Sequence, residues 1–118
     1  MPNLAKRFHH VGLRAIDPQP DEDWIPSSKC WVTSPYDHPN SIEFLRYAED
    51  SPIDPVFQDA PHIAWAVEDL DAHLEGKDLY LAPFEVGSPP FARVAFVIED
   101  GLFVEYMQFK PGRRWFRE

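Results

Sequence analysis

The chain holds one cysteine, Cys30, so no internal disulfide can form and a reducing compartment is expected. Long apolar runs are missing too. Nothing approaches the roughly 20 consecutive apolar residues of a membrane span, and no charged-then-apolar leader pattern opens the sequence. A soluble, cytoplasmic protein is the expectation. Basic residues are few, 11 Lys and Arg against 20 Asp and Glu, for a formal net charge of −9. A field of that sign repels nucleic acid and anionic membranes, which leaves small molecules or other proteins as partners.

Against these absences stand a hydrophobic content of 44% and an aromatic content of 14% over 118 residues. That is enough apolar material to bury a core without disulfides. The expectation is one domain over residues 1–118.

The best-patterned stretch is "PHIAWAVEDLDAHLEG", residues 61–76. "HIAWAV" is rich in β-branched and aromatic residues and reads as a strand; "EDLDAHLEG" has acidic residues suited to a helix start and Gly76 as its stop. "LYLAPFEV", "ARVAFVIED" and "LFVEYMQF" follow, separated by the turn signals "GSPP" and "DG". The second half therefore reads β-α-β-β-β.

A reduced copy precedes it. "FHHVGLRAID" matches "PHIAWAVEDL", and "SIEFLRY" matches "FVEYMQF", each with a glutamate third. The first copy is shorter between its matched strands, and the missing residues fall where the helix should be. In their place "DPQPDEDWIPSS" carries Pro18, Pro20 and Pro26, whose rings and missing N–H groups exclude a regular helix. An irregular loop pinned by Trp24 and Ile25 is expected, with one strand fewer than in the second copy. "KCWVTS" and "SIEFLRY" then make a hairpin around "PYDHPN". The modules run over about 7–48 and about 61–110, joined by a linker at 49–60.

Side chains alternate along a strand, so His10, Gly12 and Arg14 share one face while His9, Val11 and Leu13 share the other. His62 likewise shares its face with Ala64 and Ala66, small residues that leave space beside it. Glu43 and Glu105 stand among apolar strand neighbours, where a lone carboxylate costs several kcal/mol to bury. Two histidines and two glutamates, repeat-matched, suggest a common cation: His10, Glu43, His62 and Glu105 as ligands of a divalent metal. Imidazole with carboxylate suits Zn, Ni, Co, Mn or Fe(II).

The paired "HHVGL" and "HIAWAVEDLDA" strands, the "PFEVGSPPFARVAFVIEDG" run and the closing "FVEYMQF" resemble the vicinal oxygen chelate superfamily. That group includes glyoxalase I, methylmalonyl-CoA epimerase, extradiol dioxygenases and bleomycin-resistance proteins. The resemblance implies an α+β fold in which paired βαβββ modules form an open, curved mixed sheet, here with the first module lacking its helix. It places the ligands at the first and last strands of each module, again His10, Glu43, His62 and Glu105, and it implies a homodimer. The activity implied is that of a metal-dependent isomerase or lyase acting on a small molecule with two vicinal oxygens, with Glu105 or Glu43 as acid and base. A non-catalytic binding protein of the bleomycin-resistance type and a ring-cleaving dioxygenase are the alternatives.

Arg14 and Arg93 are candidates for holding an acidic substrate group. His9, opposite Pro61 in the repeat alignment, is expected to pack on the other face or reach the surface. His38 and His73 are expected on the solvent side, Cys30 as a small buried residue, and "GRRWFRE" as an exposed tail.

Overall fold

Pro18, Pro20 and Pro26 have the expected effect in the computed structural model, which describes residues 4–117: no helix forms between the first strand and the next. The chain divides into two compact units, His10–His62 and a second made of Met1–His9 with Ile63–Glu118.

In the unit His10–His62 the strand order is β2-β3-β4-β1, with β1 at Lys6–Arg14, β2 at Asp23–Ile25, β3 at Cys30–Val32 and β4 at Ile42–Tyr47. β1 runs parallel to β4, with Gly12 beside Glu43, while β2–β3 and β3–β4 are antiparallel. The strand expected to be lost is therefore present, as the three residues of β2. It is held by tertiary contacts. Arg46 donates from Nε and Nη2 to the two oxygens of Glu22, at 2.9 and 2.7 Å, and lies 4.1 Å over the Trp31 ring. Trp31 in turn meets Trp24 at 4.4 Å. The guanidinium of Arg46 keeps the Glu22 carboxyl below its ordinary range. This fork ties the proline-rich loop to β4.

Register then sorts the other face. Cys30 pairs with Tyr47 and Val32 with Leu45, so all four share a face with Glu43. Burial, reinforced by the Glu43 charge, pushes the Cys30 thiol well above its usual range. Its reactive thiolate is thereby suppressed. In the native protein Cys30 is expected to resist a disulfide-exchange reagent for hours and to react at once in denaturant; rapid native labelling would contradict its placement.

The expected linker is more ordered than its sequence suggested. It contains α1, Pro55–Asp59, capped by the Asp54 side chain accepting from Val56 N at 2.8 Å, with Pro at the first helical position. Phe57 is the buried residue of this turn.

The second unit has the order β5-β8-β7-β6, where β5 is His62–Val67, β6 Asp78–Gly87, β7 Pro90–Glu99 and β8 Leu102–Phe109. β6, β7 and β8 form antiparallel pairs. The "DG" turn between β7 and β8 puts Asp100 and Gly101 at φ 52° and 77°, the left-handed pair that a tight hairpin demands. Helix α2, Leu70–Leu74, is capped by Asp69 and lies over a core of Val67, Leu70, Ala95, Val97, Val104 and Tyr106. Each of its buried Val and Leu side chains contributes about 1.5–3 kcal/mol. Because Val104 and Tyr106 face this core, period two turns Glu105 and Met107 to the opposite face. Parallel β1–β4 pairing, the antiparallel β2–β3, β3–β4, β6–β7 and β7–β8 pairs and short helices make the fold α+β, as expected. Among the described residues no helix is long and apolar enough to cross a membrane.

Two expectations for this unit are corrected. His73 is buried at 5% exposure, because α2 is a short helix whose Leu70 and His73 both turn inward, and its ring lies 5.3 Å from that of Tyr106. The tail is not free of the fold either. Trp115 is 4% exposed and packs on Phe91 at 5.2 Å and on His9 at 6.1 Å, while Arg113 donates to the carbonyls of Pro89, Pro90 and Trp115. His9 thus has a packing role, between Trp115 and Phe109. His38 is half-buried against Phe44.

Candidate metal centre

Three residues of the unit His10–His62 bring their donors to one place. β1 contributes His10, its parallel neighbour β4 contributes Glu43, and the first residue of β5 contributes His62. His10 Nε2 lies 3.2 Å from Glu43 Oε1 and 3.3 Å from His62 Nε2, and His62 Nε2 lies 3.8 Å from the same oxygen. His10 is fully buried, and Glu43 and His62 nearly so.

Glycine makes this geometry possible. A Cβ on Gly12 would sit 2.0 Å from Cε1 of His62 and 2.5 Å from both ring nitrogens. The His62 ring therefore occupies the volume that any side chain at position 12 would take. Its other neighbours are the His10 ring, edge-on at 5.4 Å, and the Phe57 ring of α1, nearly parallel at 15° and 6.0 Å. Sequence reasoning placed Gly12 on the face of His10 but passed over Phe57. The signal was there: Asp54-Pro55 is a helix-start pair, and it places Phe57 inside a turn.

These spacings fit a cation. Donors bound about 2.0–2.2 Å from one ion at tetrahedral or octahedral angles stand about 2.9–3.5 Å apart, and two of the three separations lie in that range. The third, 3.8 Å, closes with a small side-chain movement. Two imidazoles and one carboxylate also form a donor set suited to a divalent transition ion. A buried carboxylate needs such compensation. Glu105, a fourth buried group with a metal-type donor, is on β8 in the other unit.

The arginines are placed differently. Arg14 shares the β1 face of His10 and Gly12, and its Nη1 pairs with Oδ1 of Asp59 at the end of α1. Arg93 lies on the face of β7 that carries Ala95 and Val97, and its Nη1 pairs with Asp71 of α2 at 3.1 Å. That is the opposite face of the hairpin from Glu105.

No protein-family model and no curated protein sequence matches the chain. Solved structures do. A hypothetical protein from Bacillus halodurans C-125 is 18% identical, with a TM-score of 0.68 over 94% of this chain and 99% of its own. Methylmalonyl-CoA epimerase from Mycobacterium tuberculosis is also 18% identical, with a TM-score of 0.62 over 88% of each chain. At this identity the likeness is one of fold, and it extends over most of the sequence.

Proposed function

We propose that this chain, which has the fold of the vicinal oxygen chelate superfamily, is a metal-dependent isomerase or lyase acting on a small molecule with two neighbouring oxygens. The observation that carries the reading is the buried meeting of His10, Glu43 and His62 at 3.2–3.8 Å. In this reading Glu105 is the fourth ligand. Its support is burial, its position on the last strand of its module, and its repeat match to Glu43. The ion is one of Zn, Ni, Co, Mn or Fe(II).

A bound divalent ion would supply Lewis-acid stabilisation of negative charge on the two substrate oxygens. The rest falls to the protein. His10 and His62, presented on strands, fix the donor geometry, and their burial strengthens every charge interaction. A glutamate oxygen, of Glu105 or Glu43, takes the proton from the carbon next to the oxygen pair and returns it. Arg14 is the proposed holder of an acidic substrate group, which would replace Asp59, an exposed carboxylate, on the guanidinium. A cytoplasmic homodimer is the form proposed for the active protein.

The epimerase with this fold is named for methylmalonyl-CoA, which makes that thioester the first probe. Metal-loaded protein incubated with it in D2O is expected to wash deuterium into the carbon between the two carbonyl groups, and Glu105→Gln to slow this. Exchange no faster than without protein, across this and other 2-acyl thioesters, would count against proton transfer.

A further inference from the structure

We propose that Phe57 of α1 is a positioning residue for His62, setting the plane of the imidazole so that its Nε2 points at the metal; this rests on the metal reading above. An imidazole lone pair lies in the plane of its ring, so a ligand histidine must have both its position and its tilt fixed. Gly12 admits the ring into the space that a Cβ there would fill. A flat neighbour lying parallel to the ring limits its tilt. Phe57 provides one, 15° from parallel with ring centroids 6.0 Å apart, while the His10 ring is turned 78° away and cannot define the same plane.

The turn that carries Phe57 is itself fixed from several sides. Asp54 caps its start, Gln58 Nε2 donates to Ile53 O at 2.9 Å, and Asp59 pairs with Arg14. Arg14 is two residues beyond Gly12 on β1, so one strand supplies both the gap for His62 and the anchor for the turn stacked on it. Phe57 is 4% exposed. Its ring stacks on that of His62, a proposed ligand, and acts through it.

The test uses Co(II) alone as probe on wild type, Phe57→Leu and Phe57→Tyr. Phe57→Leu keeps apolar volume without a flat ring, whereas Phe57→Tyr keeps the ring. Loss of partners that orient a ligand typically costs about 10- to 100-fold in metal affinity. Phe57→Leu is expected to bind Co(II) at least about 10-fold more weakly with a shifted visible absorption band, and Phe57→Tyr to restore both. Metal-free Phe57→Leu should unfold cooperatively near the wild-type midpoint, and its His62 ring proton should lose the upfield ring-current shift in NMR spectra. Unchanged affinity and band in Phe57→Leu, or an unchanged His62 shift, would overturn the proposal. If wild type bound no Co(II) while the ring-current shift behaved as expected, the metal reading would fail and the stacking contact would stand.

Discussion

Gly12→Ala is expected to cost about 100-fold or more in metal affinity while leaving a folded protein. The new methyl group would overlap the His62 ring, 2.0 Å from Cε1, and the atom it meets belongs to a ring already bordered by His10 and Phe57. The ring cannot tilt away cheaply, and any rotation that relieves the clash takes Nε2 off the point it shares with His10 and Glu43. Overpacking of this kind costs typically about 1–3 kcal/mol of stability, which a domain of ordinary stability survives. Metal titration and urea unfolding of the same preparation separate the two effects. A variant that bound metal like wild type would show that His62 does not lie over Gly12.

Trp115→Ala is expected to lower unfolding stability by about 3–5 kcal/mol, the usual range for a buried large aromatic. The indole is 4% exposed and sits among Phe91, Phe116 and His9. Phe91 is itself almost fully buried and donates no side-chain polarity to offset a cavity. Against a total of about 5–15 kcal/mol for a domain, such a loss lowers the urea midpoint markedly. Trp115→Phe should recover much of it, since a ring still fills the space. A change under about 1 kcal/mol in Trp115→Ala would mean that the tail is not docked in solution.

The second module was legible because its signals are long and regular. "HIAWAV" and the three later strands alternate over many residues, and the "DG" hairpin has backbone angles that its residue types predict. What was missed is short. α1 has five residues and β2 three, too few to display a period. β2 also lies between prolines, and it is paired because Arg46 and Glu22 meet across 24 residues of sequence. No local pattern encodes such a contact. His73 failed for the same reason in reverse: on a five-residue helix only its spacing of three from Leu70 pointed inward. Trp115 lies in a polar, basic tail whose local composition reads as solvated, and its partner Phe91 is on a distant strand.

The burial of His10, Glu43, His62 and Glu105 was legible because a repeat supplies its own control. His10 had a counterpart in His62 and Glu43 in Glu105, whereas His9 aligned with a proline. The spacing of the donors was not legible, since it depends on Gly12 admitting a ring from another strand.

Metal content is the most direct test of the proposed centre. Elemental analysis of protein purified without chelators from medium supplemented with Zn, Ni, Co, Mn and Fe is predicted to find one divalent ion per chain. No stoichiometric ion in any of those preparations would contradict the account.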